Sequence, residues 1–175
     1  MPSDPTTDLA ELTLALIRSR HSVAPKRLSA PGPSAAQLQA VIEAAACAPD
    51  HHGLRPWRLV QIGDAQRDAL ADVFEACTRD RLAAGVPPPE PTPADITRAR
   101  EKAYRAPTLL LAVLCLGADD PEVPATERTL TLGAALMNLL LAAHGQGFAA
   151  MLTSGHAVRS ARFARLDDRD WTRAW

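Results

Sequence analysis

The stretch AAACAPDHHGLRPWRLVQI, residues Ala44 to Ile62, packs a helix end, a polar loop and a strand into nineteen positions. The helix stops at Pro49, because a proline disfavours helical geometry in the residue before it, and Asp50, His51, His52 and Gly53 follow. Pro56 resets the chain to extended, and Trp57, Leu59, Val60 and Ile62 read as a strand of mostly β-favouring residues. Two imidazoles and a carboxylate are thereby presented on a short loop between rigid elements, a common place to hold a ligand.

On the N-terminal side, Leu9, Leu12, Leu16 and Ile17 keep helical spacing and predict a first helix ending near Ser19, after which Pro25, Pro31 and Pro33 force a loop. Ser34 followed by Gln37 forms a capping box, and Leu38, Val41, Ile42 and Ala45 make one apolar stripe, so a second helix is predicted from about Ala35 to Cys47. On the C-terminal side, Ala65 to Thr78 reads as a helix with Leu70, Val73, Phe74 and Cys77 on one face. Five prolines between Gly85 and Pro93 make a surface excursion rather than a linker, since core-forming patterns resume at once. Asp95 to Tyr104 is a short charged helix, and Thr108 to Leu116 is an apolar run suited to a strand covered on both faces.

From Thr126 to His144 the pattern is helical and apolar nearly all round, which assigns it to an interior or a dimer interface. Arg128, Thr131 and Asn138 interrupt it too often for a lipid span. Gly145 and Gly147 end this helix, Phe148 to Leu152 is a predicted strand, and Ala157 to Leu166 a last helix. Five to six helices and three strands in this order make an α+β chain, read as one domain over residues 1–175.

The net charge of −1 and the scattered arginines argue against nucleic acid or an anionic membrane as partner. No segment reaches the roughly 18 uninterrupted apolar residues of a membrane span, and Met1 to Thr7 does not read as a signal sequence, so a cytoplasmic protein is expected. Cys47, Cys77 and Cys115 are odd in number, widely spaced and without a CxxC, which points to reduced cysteines rather than a disulfide framework or zinc cluster.

The loop segment APDHHGLRPW, Ala48 to Trp57, resembles the APxxxxxQPW element of the FMN-dependent nitroreductase family, closest to the small NAD(P)H nitroreductases whose loop reads APDH. LIRSRHSV, Leu16 to Val23, is similar to the family's opening arginine-arginine-serine element, and AAHGQGFAAMLTSG, Ala142 to Gly155, to its late helix, turn and strand. The three motifs keep the family's order and span residues 9 to about 166. The resemblance implies helices around a mixed, mainly antiparallel sheet, a homodimer centred on the long helix, FMN as cofactor and NADH or NADPH as electron donor. In the family an apolar strand and a tail reaching the partner follow the last helix. This chain ends DDRDWTRAW, so that strand and tail are expected to be missing.

The resemblance carries over residue by residue. Arg20, His21 and Ser22 match the phosphate and ribityl element, where a planar guanidinium suits phosphate oxygens and histidine replaces the usual second arginine. Read from the residues alone, the same three form a solvated helix terminus. His51 matches the APDH histidine placed near the flavin, against the plainer reading of a loop histidine bonding its own backbone. Cys47 stands where the resembled members have an FMN-contacting arginine, and Arg55 takes the place of the QPW glutamine. Ala142, Ala143, His144, Gly145, Gln146 and Gly147 correspond to the nicotinamide-contacting stretch, and Leu152, Thr153 and Ser154 to a second flavin-binding strand end, Thr153 again replacing an arginine. Gly145 and Gly147 have an equally good reading as helix-cap and turn residues. No GxGxxG follows a strand, so nicotinamide would share the flavin pocket rather than occupy a Rossmann site.

Three functions compete. The first is a ping-pong NAD(P)H oxidoreductase reducing a nitroaromatic, quinone or similar small acceptor, with no dedicated catalytic acid or base. The second is a non-catalytic, weakly flavin-binding dimeric remnant of the same fold. The third, a metal-dependent phosphoesterase prompted by Asp50, His51 and His52, lacks the further carboxylate motifs that a metal pair needs, and no metal ligands are assigned.

Overall fold

Ser34 starts the second helix by the expected reciprocal pair: its hydroxyl accepts the Gln37 N–H at 3.3 Å, and the Gln37 side chain accepts the Ser34 N–H at 3.0 Å. The helix, α2 (Ala35–Ala46), buries Val41, Ile42 and Ala45 and is capped at its C-terminus by Cys47. A computed structural model describes residues 5–83, 90–117, 121–155 and 157–163. Around α2 the helices are α1 (Pro5–Ser19), α3 (Arg67–Ala83), α4 (Pro93–Glu101) and α5 (Ala125–Gly145), and the strands are β1 (Trp57–Gln61) and β2 (Leu110–Leu114). The chain forms two compact units, the first from residues 1–24, 32–57 and 114–151, the second from 25–31, 58–113 and 152–175.

In the first unit α5 packs on α2 and on α1. Contacts at both ends of α5 show that α2 runs antiparallel to it: the Gln146 amide donates to the Gln37 carbonyl at 3.4 Å, while His51, just past α2, meets Glu127 in the first turn of α5. The buried positions of α5 are Arg128, Thr131, Ala135, Leu139, Leu140 and Ala143, which lie on one side at helical spacing. Within one chain α5 is therefore covered on one side only. Leu130 is 71% exposed and Met137 45%, whereas Arg128, which looked like a polar interruption, is buried and donates Nε–H to the Val123 carbonyl at 3.0 Å. The apolar stripe of α1 is likewise open, with Leu9 65% and Leu12 68% exposed.

The predicted strand Phe148–Leu152 does not form. A single parallel bridge joins Ser22 to Ala150, and Val23 N–H donates to the Ala150 carbonyl at 3.2 Å. A one-residue partner cannot sustain a ladder, whatever the intrinsic preference of the segment.

The second unit is built on the two strands. Ile62 N–H donates to the Leu109 carbonyl at 2.9 Å and Cys115 N–H to the Pro56 carbonyl at 2.8 Å, so β1 and β2 are antiparallel. Val60 and Ile62 join Leu70 and Ala71 of α3, Ala103 and Phe163 in one core. Every residue of β2 is half-buried, not enclosed on both faces as its apolar run suggested. Arg67, 5% exposed, donates to the carbonyls of Ala103 at 2.7 Å and Pro107 at 3.2 Å. Burial holds its guanidinium below the usual arginine pKa, partly offset by Asp64 and Tyr104. Pro93, placed at the edge of the proline excursion, is the first residue of α4; the part of that excursion from 85 to 89 lies outside the described residues. The predicted final helix is a short 3-10 turn, Ala157–Arg159, with a helical turn beginning at 161; its end lies outside the described residues.

Thr92 caps α4 and, with Arg98, sets an acid-sensitive point. The Thr92 hydroxyl and then the Arg98 guanidinium, 2.6 Å away, bind the Asp95 carboxylate and lower its pKa from 3.8 to about 2. A depressed carboxylate stabilises the fold above its unfolded pKa and loses that contribution as pH falls through the folded value. Thr92→Val is therefore expected to lower the urea midpoint most above about pH 4, with the gap to wild type narrowing toward pH 2. A gap that stays constant across that range would assign the whole effect to the lost N-cap, typically about 1 kcal/mol.

Candidate functional site

The candidate residues of the first unit gather at the two ends of α5. At its C-terminal end, α5 closes in a Schellman arrangement: Gly147 N–H donates to the His144 carbonyl and Phe148 N–H to the Ala143 carbonyl, both at 2.9 Å. Gly147 takes φ +84°, and a Cβ there would meet nothing within 4 Å, so the backbone conformation alone asks for glycine. Gly145 needs no such freedom; a Cβ there would touch Leu16 Cδ1 at an ordinary 3.6 Å.

Beside this cap the end of α1 delivers the RHS element. Ser19 Oγ lies 2.9 Å from His144 Nε2, and the Ser19 carbonyl accepts a hydrogen bond from His21 Nδ1 at 3.1 Å. The His21 and His144 rings meet edge to face at 6.5 Å. Ser22 is fixed by its bridge to Ala150. Arg20, His21, Ser22 and the Ala142–Gly147 stretch are thus brought together by the fold, with His21 and Ser22 exposed and Arg20 half-buried. Ala143 is buried and Gln146 is engaged with Gln37, so part of the stretch serves packing. Ser19 belongs to this constellation although nothing in its local spacing marked it.

The other end of α5 holds the APDHHGLRPW loop. His51 Nδ1 lies 2.7 Å from Glu127 Oε2, and the His51 and His52 rings stack edge-on at 4.3 Å. His52 (φ 58°), Gly53 (φ 66°) and Arg55 (φ 44°) all adopt left-handed backbone, a run that two non-glycine residues hold at some strain. The Asp50 carboxylate accepts the Arg55 N–H at 2.5 Å and ties the turn shut. Asp50 thus has a structural partner, and among the described residues no three His, Cys, Asp or Glu side chains group as metal ligands. Cys47 is exposed at the end of α2, its thiol 3.5 Å from the Glu43 carbonyl.

Within one chain these two clusters do not meet. Glu127 and His144 are 17 residues apart on α5, about 26 Å along its axis at 1.5 Å per residue. Leu152, Thr153 and Ser154 belong to the second unit, where they are exposed and outside any regular element.

No helix among the described residues is long and apolar enough to cross a membrane. The nitroreductase family profile matches residues 17–169. The chain is 32% identical over 147 residues to "Putative NAD(P)H nitroreductase YdjA" of Escherichia coli, covering 84% of this chain and 74% of the relative. It is 32% identical over 161 residues to "Putative NAD(P)H nitroreductase" of Haemophilus influenzae, covering 89% and 82%. Among solved structures it is similar to a nitroreductase-like protein from Bacillus cereus, with TM-score 0.69, 18% identity and coverage of 87% and 74%. It is also similar to the FMN-dependent nitroreductase NfnB of Mycobacterium smegmatis in complex with NADPH, with TM-score 0.66, 17% identity and coverage of 94% and 85%. The α+β architecture and the antiparallel strand pair agree with these matches: the chain belongs to the nitroreductase family.

Proposed function

We propose that this chain is an FMN-dependent NAD(P)H oxidoreductase, acting as a cytoplasmic homodimer in which residues 1–175 form one nitroreductase domain. Bound FMN would supply the redox chemistry, accepting hydride from NADH or NADPH and, in a separate half-reaction, reducing a nitroaromatic, quinone or similar small acceptor. The observation that carries the reading is the convergence of Arg20, His21 and Ser22 with the Ala142–Gly147 stretch at one end of α5. The donor set fits the cofactor: a guanidinium, an imidazole and a hydroxyl suit a phosphate and ribityl chain, and the turn at Gly147 leaves open space. Arg20 would bind the phosphate, Ser22 the phosphate or ribityl chain, and His51 would face the ring. Cys47 and Thr153 supply no cation, so weak FMN binding that is lost during purification is expected.

The separation of the two clusters supports the dimer. A site using both Arg20 and His51 cannot be assembled over about 26 Å of one helix, whereas two chains packed along their exposed α1 and α5 faces could set one end beside the other. Arg20→Ala is expected to weaken FMN by roughly ten- to a hundredfold, the worth of a charge-assisted contact, while changing riboflavin, which has no phosphate, much less. Equal losses for the two ligands, measured by fluorescence titration, would give Arg20 a structural role instead.

A further inference from the structure

We propose that His21 binds the cofactor phosphate only as an imidazolium, so that FMN binding takes up a proton from solvent and places it on His21 Nε2. The inference rests on the reading of Arg20–Ser22 as the phosphate element. Ser19 fixes both imidazoles at this end of α5. Its backbone carbonyl lies 3.1 Å from His21 Nδ1, and a carbonyl can only accept, so Nδ1 carries a hydrogen in either charge state. Neutral His21 therefore has its lone pair on Nε2. A phosphate dianion offers only acceptor oxygens, so it meets that lone pair with repulsion; donation from Nε2 requires a second proton.

The neighbouring imidazole is held by the same serine: Ser19 Oγ lies 3.2 Å from the Leu16 carbonyl and 2.9 Å from His144 Nε2, so His144 already has a partner at this end of α5. Among the described residues, the titratable and charged groups placed beside His21 include His144 on α5, ring to ring at 6.5 Å, and Arg20 next to it in the chain. A bound phosphate dianion favours a proton on an imidazole that faces it, so the proton arrives with the ligand. His21 is exposed, which leaves it in exchange with water.

Calorimetric titration of the full chain with FMN and with riboflavin, near pH 7.5 in two buffers of different ionisation enthalpy, reads the proton directly. At that pH a free phosphate monoester is largely dianionic and a free imidazole largely neutral. The expected result is uptake of about one proton per FMN and none with riboflavin, with Kd for FMN rising on the order of tenfold from about pH 6 to about pH 8. His21→Arg should bind FMN without proton uptake and no more weakly at the higher pH, and His144→Gln should keep the uptake. Preference for FMN over riboflavin without proton uptake would overturn the proposal and leave the phosphate reading standing. So would uptake that survives His21→Arg or disappears only in His144→Gln. Equal affinity for FMN and riboflavin, unchanged in ratio by Arg20→Ala, would overturn both.

Discussion

Leu140→Asp is expected to abolish soluble folding. Leu140 is buried on the side of α5 that also carries Ala135, Leu139 and Ala143, in the unit where α5 packs on α2. An aspartate there loses the transfer free energy of the leucine side chain, roughly 2 kcal/mol, and adds an unpaired buried charge worth several kcal/mol more. That total is comparable with the whole stability of a small domain, about 5 to 15 kcal/mol. Expression followed by circular dichroism and sedimentation checks it; a soluble, cooperatively unfolding variant would show that α5 is not the centre of the first unit.

Leu12→Asp is expected to leave the chain's own core intact and to remove the dimer. Leu12 is 68% exposed within the chain, and Leu9 one turn before it is 65% exposed, so neither supports the monomer's interior. A row of large apolar side chains is left open on α1, with Leu130 and Met137 open on α5, and this is the surface that the proposed dimer would cover. A charge buried in the centre of an interface costs roughly 3 to 5 kcal/mol, enough to weaken dimerisation a hundred- to several-thousandfold. Sedimentation velocity at micromolar concentration should show a dimer for the native chain and a folded monomer for Leu12→Asp. A stable folded monomer of the native chain would remove the basis for a site shared between chains.

What the sequence disclosed was local. The Ser34–Gln37 capping box, the stop at Pro49 and the restart after Pro56 act within a few residues, and α2 and β1 appear within a residue or two of their predicted bounds. The strand expected at Phe148–Leu152 failed because strand formation depends on a partner, here only Ser22, more than 120 positions away. Which side of α5 the chain itself covers was hidden for a related reason. An all-round apolar pattern does not say which side the rest of the chain covers, nor that Arg128 folds back onto the carbonyl of Val123. At the candidate site the motif residues were visible, but their partners were not. Glu127 meets His51 across 76 positions and Ser19 meets His144 across 125, and no spacing rule spans such distances. The left-handed turn at His52 and Arg55 was equally hidden, since neither residue type announces a positive φ as glycine does.

The central claim, an FMN site that accepts hydride from NAD(P)H, is tested most directly by titrating the full chain with FMN to saturation, removing oxygen, and adding NADPH or NADH while following flavin absorption against free FMN alone. The expected result is about one flavin bound per chain at saturation, bleached by one or both nucleotides and restored by a nitroaromatic or quinone. Protein that takes up no flavin at saturating FMN, or bound flavin that neither nucleotide bleaches, would contradict it.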